Sequence, residues 1–226
     1  MLEAPAVLDA IEATSNAILL QQAQAAVARA RIETGALRQA RALAETALEG
    51  AQAAANPAMF VEVAAVASLT RIADGASEDA RPLLIQIAEE PEALAAATSF
   101  LPSLTRVAIL LHDIELADRL RERVGTLHPA RSASIMASRA QVEEARGEIR
   151  VAADTYLEAA EQLAVLGAGL EHAHAVLGAG RCLTALNDPS AEPTLREARR
   201  LFAEMGAQPR TDECDTLIAK TSRLSS

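Results

Sequence analysis

The sequence predicts an all-α chain of antiparallel helix hairpins stacked side by side into a right-handed α-solenoid. Three observations point there. Of 226 residues 53 are Ala, while only Phe60, Phe100, Tyr156 and Phe202 are aromatic. Such a core suits closely approaching helices, because Ala has the highest helix propensity and leaves neighbouring axes room. β-branched runs with period-two alternation are missing, so nothing reads as a strand. Finally, one short pattern recurs at nearly even intervals along the chain.

That pattern is Ala, an apolar residue four positions on, and a small or apolar residue three further. It occurs as Ala40-Ala44-Ala47, Ala80-Leu84-Ile87, Ala152-Tyr156-Ala159 and Ala191-Leu195-Ala198. A weaker copy is Ala117-Arg121-Val124, where Arg121 breaks the apolar position. The leading alanines are 40, 37, 35 and 39 residues apart. Positions i, i+4 and i+7 share one helix face, so each triplet is a stripe that must bury against a neighbour.

A first helix is expected upstream of each stripe, near 17–33, 57–74, 92–111, 131–146 and 170–186. Breakers fall between them: Gly35, Asn56-Pro57, Gly75, Glu90-Pro91, Gly125, Pro129, Gly147, Gly167 and Asn187-Asp188-Pro189. Proline near helix starts and glycine just past helix ends follow the usual asymmetry. Short connections make successive helices antiparallel. The whole chain, 1–226, is therefore expected as one repeat domain. Its helix pairs lie near 17–50, 57–90, 92–125, 131–167 and 170–206, with a helix remnant before them and a capping helix at 210–222. Leu217, Ile218 and Leu224 are expected to cover Leu201 and Phe202 at that end.

The fourth unit resembles tetratricopeptide-type (TPR-like) repeats: Gly147, Ala152, Tyr156 and Ala159 stand where that family has its turn glycine, small residue, aromatic and small residue. Leu177-Gly178 is similar to the small-residue position of its first helix. The chain departs from the family in lacking the first-helix aromatic and in having units longer than the usual ones. The last 60 or so residues, with "AEPTLREARRLFAEMGAQP" and "DECDTLIA", are similar to the C-terminal repeat tails of large bacterial ATPase, cyclase or transcriptional-regulator signalling proteins. The resemblance implies a fragment or stand-alone relative of such a tail, with a concave groove lined by the first helices. Counting back by the family's spacing puts Glu62, Leu69, Arg106, Ile109, Gln141 and Glu144 toward that groove, where Arg106 either meets a partner carboxylate or pairs with a carboxylate of a neighbouring helix.

Charge and chemistry narrow the function further. A formal net charge of −10 opposes phosphate backbones, so nucleic acid is not an expected partner. No apolar run is long enough to span a bilayer. The acidic opening "MLEAPAVLDAIEATSN" lacks the charged n-region of a signal peptide, which makes the expected location cytoplasmic. Cys182 and Cys214 form no disulfide framework or metal spacing. "GAGLEH" and "GAGRCL" share two glycines with dinucleotide fingerprints but follow no strand.

Glu171 and His174 have the Glu-x-x-His spacing of one helix of a di-iron bundle, but no second such pair exists. Together with His172 they read as polar residues at a helix N-terminus. His112 is expected to meet the last carbonyls of its helix, Cys182 to be a small core residue, and Glu12, Glu33, Glu45 and Glu49 to lie on solvated faces. No catalytic residue, cofactor site or metal site is expected. The leading expectation is a non-enzymatic scaffold that binds a protein or peptide in its concave groove, with self-association left open. The alternative is a region that senses a small effector and controls an attached ATPase, cyclase or DNA-binding output domain.

Overall fold

The computed structural model of the chain describes residues 8–9, 11–12, 16–54, 56–124 and 129–224. No strand occurs among them. The helices are α1 (Ala17–Glu33), α2 (Leu37–Ala53), α3 (Pro57–Ala73), α4 (Ser77–Ala88), α5 (Pro91–Ala96), α6 (Leu101–Leu110), α7 (Ile114–Glu122), α8 (Pro129–Ala145), α9 (Ile149–Val165), α10 (Gly169–Ala185), α11 (Ala191–Glu204) and α12 (Gln208–Leu224). Successive helices pair into hairpins, and each hairpin packs on the next. The expected leading remnant lies mostly outside the described residues, as does the breaker Gly125.

Local chemistry sets the boundaries. Asn16, Asn56 and Asp113 cap helix starts by accepting from the backbone N–H groups of Leu19, Met59 and Leu116 at 3.1, 3.1 and 2.9 Å. Each hairpin turns on a residue in the left-handed conformation: Gly35, Gly75, His112, Gly147 and Asn187. In the third turn the N–H of Asp113 reaches the carbonyl of Ala108 at 3.0 Å, and that of His112 reaches Ile109 at 2.9 Å. His112 thus ends its helix through its own backbone, not through the expected side-chain contact with carbonyls. It and Asn187 accept a φ of 56° and 54° that glycine would adopt without steric cost.

The stripes are the core. Ala40, Ala44, Ala47, Ala80, Leu84, Ile87, Ala152, Ala159, Leu195 and Ala198 are fully buried, and Tyr156 and Ala191 nearly so. In the third unit Leu116, Ala117, Leu120 and Val124 form the stripe, and Leu120 takes the place that Arg121 could not. One apolar cluster runs from α1 to α7 and reaches Val142 of α8. A second begins at Ala133, Ala137 and Ala140 of the same helix and continues to α12. Helix α8 therefore has one face in each.

One expectation needs correction. The first helix of the third unit is not continuous over 92–111: α5 ends at Ala96, a 3-10 turn covers Thr98–Phe100, and α6 begins at Leu101. Pro102 is the cause. It has no N–H for the carbonyl of Thr98, and its ring would clash there in an unbroken helix. At the C-terminus Leu217 and Ile218 are half-buried and pack with Leu201 against the cluster that holds Phe202, as expected, and Thr211, Cys214 and Thr221 are the buried residues of the same helix. The side chain of Leu224 lies outside the described residues.

Gly178 shows how tightly the fourth and fifth hairpins meet. A Cβ there would sit 2.5 Å from Cζ of Tyr156, so only glycine lets the ring lie on α10. The tyrosine hydroxyl then donates to Oε2 of Glu144 at 2.7 Å.

Candidate functional site

Counting back from each left-handed turn residue picks out equivalent side chains on the first helices α1, α3, α6, α8 and α10. Six positions before the turn stand Arg29, Leu69, Arg106, Gln141 and Arg181; thirteen before it stand Gln22, Glu62 and His174. Gln22 and Glu62 occupy the same position in successive hairpins, and the Gln22 amide donates to Oε2 of Glu62 at 3.1 Å.

The groove does not run open from end to end. Glu171 of α10 is a buried carboxylate that receives Arg29 of α1, Arg106 of α6 (Nη2 to Oε2, 3.1 Å) and the Ser103 hydroxyl (3.0 Å). Beside it Glu33 of α1 lies 3.3 Å from Nε2 of His174 and 3.5 Å from Nε of Arg210 on α12. Pro209 packs against Gly35, with Cγ 3.4 Å from where a Cβ would be. The first hairpin is thereby fastened to the last helices across the concave face. Such contacts join residues about 140 apart in sequence, so stability in this solenoid is not only a sum over neighbouring units.

The electrostatics of this bridge follow from its burial. Burial pushes the Glu171 carboxyl upward, but Arg106 and Arg29 outweigh it and hold the group at about 2. Glu33 likewise ends at about 2, raised by burial and lowered further by His174 and Arg210. Burial and the Arg106 charge depress His174 to about 4, so the ring is neutral at pH 7. Phe202 supports it edge-on, with ring centroids 5.1 Å apart at 72°.

Two cavities remain on either side of the bridge. One, of about 400 Å³, is lined by Arg106, Ile109, Leu110, Gln141, Glu144, His174, Arg181, Arg210 and Glu213. Here Arg181 grips Glu144 with two hydrogen bonds of 2.8 and 2.9 Å, and Arg210 donates to Glu213 at 3.0 Å. Gln141 is buried, and its Oε1 has no hydrogen-bond partner among the described residues. The other cavity, of about 510 Å³, is largely apolar. Val66, Phe100, Leu170 and Met205 line it, with Glu62, Glu33 and Glu204 as its carboxylates.

Of the six groove residues named from sequence, Arg106, Ile109, Gln141 and Glu144 meet in the first cavity and Glu62 lies in the second. Leu69 is half-buried against the apolar core and lines neither. Sequence reasoning missed Arg29, Glu33, Glu171 and His174. Glu171 and His174 do lie near the N-terminus of α10, but they are buried there, paired with Arg29, Arg106 and Glu33. Glu33 is in the bridge, and Glu45 is paired with Arg71 at 2.8 and 2.9 Å, so neither is a free carboxylate on a solvated face. Cys182 and Cys214 are buried thiols, pushed up by burial to about 12 and about 11. Among the described residues no group of three His, Cys, Asp or Glu side chains is placed to hold a metal ion. No helix among them is long and apolar enough to cross a membrane.

No family model and no curated protein sequence matches the chain. Solved structures do. BtubC (BKLC) from P. vanneervenii superposes with a TM-score of 0.53 at 18% identity, over 87% of this chain and 85% of that one. A crystal structure of nearly identical kinesin light chain TPR-like repeats from Podosopora anserina gives 0.43 at 18%, over 88% and 95%. The first of these likenesses is one of fold. With the helix hairpins described above, it gives this chain the fold of a helical-repeat solenoid.

Proposed function

We propose that the chain is a non-enzymatic scaffold that holds a protein or peptide segment on its concave face, as part of a bacterial signalling protein in the cytoplasm. The supporting observation is the cavity beside the bridge. It combines apolar walls, Ile109 and half-exposed Leu110, with a buried Gln141 Oε1 that lacks a donor. A polypeptide supplies both an apolar side chain and N–H donors. The bacterial setting rests on the similarity of the last 60 or so residues to signalling-protein tails.

A second reading follows from the bridge itself. By dividing the groove it leaves cavities of small-molecule size, about 400 and 510 Å³. This favours an effector-sensing region that reports to an attached output domain through the fastening of its ends.

The two readings separate in one experiment. Leu110→Asp and Gln141→Ala alter the cavity, whereas Arg199→Ala removes an exposed pair with Asp215 on α12. Capture of a protein partner from cells of the source organism is expected to fall with the first two, by about 1–3 kcal/mol, and to be unchanged with the third. Equal effects of all three would overturn the groove reading. A partner-free chain whose melting point rises with a low-molecular-weight extract would favour the effector reading.

A further inference from the structure

The pairing of charges in the groove leaves one group over. Arg29 and Arg106 are taken by Glu171, Arg181 by Glu144, and Arg210 by Glu213 and Glu33. Glu204 is held by Arg200 at the exposed end of α11. Glu62 has only the neutral amide of Gln22, and among the described residues no cation pairs with it. The first 15 residues of the chain contain Glu3, Asp9 and Glu12 but neither Lys nor Arg. A carboxylate at the mouth of an apolar cavity, in a protein of net charge −10, is complementary to a cation carried on an apolar stem.

We propose that the 510 Å³ cavity receives a lysine or arginine of a partner segment, with its charged end on Glu62 and its stem and an adjoining apolar side chain against Val66, Phe100 and Leu170. This rests on the reading that the groove holds a polypeptide, and it places the recognising charge on a carboxylate. Of the two roles the sequence leaves to Arg106, the pairing with a carboxylate of another helix is the one seen, since Arg106 is bound to Glu171. Arg29 does not oppose an incoming cation strongly: it shares Glu171 with Arg106, Glu33 also lines the cavity, and its guanidinium carbon lies 5.4 Å over the Phe100 ring.

The test is selection of a displayed library of random 12-residue peptides on the immobilised full chain, followed by fluorescence-anisotropy titration of the enriched peptides. Enrichment of Lys or Arg beside Leu, Ile or Phe is the expected result. Glu62→Gln should weaken those peptides about fivefold to tenfold, with Glu192→Gln on the outer surface as the unchanged control. Ala26→Arg, at an exposed position lining the cavity, supplies a cation in place and should weaken them about tenfold or more. Enrichment of Asp or Glu, or basic peptides indifferent to both changes, would overturn the proposal and leave the groove reading standing. So would n-butylguanidinium binding as tightly as the peptides, which would make this a small-cation site. No peptide retained above bare resin would overturn both.

Discussion

Replacing Glu171 by Gln tests the bridge with almost no change of volume. The carboxylate is buried, with only 8% of its side chain exposed, and its partners Arg29 and Arg106 are 19% and 21% exposed. A carboxyl held at about 2 instead of its ordinary 4.5 favours the folded state by about 3 kcal/mol at neutral pH. The same size follows from the other direction, because removing one member of a buried ion cluster strands its partners at a cost of about 3–5 kcal/mol. For a chain of this length the expected loss is about 6–12 °C in melting temperature. Glu192→Gln is the control: its pair with Arg196 is exposed and worth at most about 1 kcal/mol. Thermal unfolding followed by far-UV circular dichroism gives both numbers. If Glu171→Gln melts with Glu192→Gln, the carboxylate does not fasten the two ends and the reasoning fails.

Other expected outcomes follow from the same contacts. Stability should fall with acid in two stages: unfolded His174 takes up a proton between about pH 6.5 and 4 that the folded ring refuses, and below 4.5 Glu33 and Glu171 resist protonation only in the folded state. His174→Gln should flatten the upper stage in denaturant titrations, and an unchanged profile would contradict the burial of that ring. Gly178→Ala drives a methyl group into Tyr156 and should cost about 1–3 kcal/mol or more. Tyr156 is the sole tyrosine and there is no tryptophan, so near-UV circular dichroism in the tyrosine band should change with it; an unaltered band would disprove the contact. Phe202→Ala should cost about 3–5 kcal/mol, since the ring is fully buried and braces His174. A loss under about 1 kcal/mol in urea unfolding would show that the α11–α12 seam is loose.

What was legible in the sequence is what repeats locally. Ala80, Leu84 and Ile87 announce a buried stripe because side chains four and three apart on a helix share a face. Gly35, Gly75 and Gly147 mark turns because the left-handed conformation favours glycine. Asn187 makes another and stood among the expected breakers, whereas the left-handed residue of the third turn is a histidine, which carries no such signal, and only the end of the apolar run before it marked the place. The break at Pro102 was written in the chain but read through, as proline within a helix start is ordinary. The bridge was out of reach for another reason. Whether a solenoid's first unit touches its last depends on small rotations summed over every hairpin, which no local period reports. A signal existed nonetheless: Glu171, His174, Gly178 and Arg181 step by three, four and three along one face of α10. Charged residues on the face that carries a required glycine point to a buried polar seam.

The bridge fastens the first hairpin to the last helix, with a cavity on either side of it. Cysteines introduced at Thr34 and Gln208 flank the Gly35–Pro209 contact. The native Cys182 and Cys214 are buried, so a short bis-thiol crosslinker at low protein concentration reports on the introduced pair. Rapid crosslinking within single chains is expected, seen by a mobility shift and intact mass, with a clear drop in yield when Glu171→Gln is added. Absence of an intramolecular product, or a yield indifferent to Glu171, would contradict the bridge.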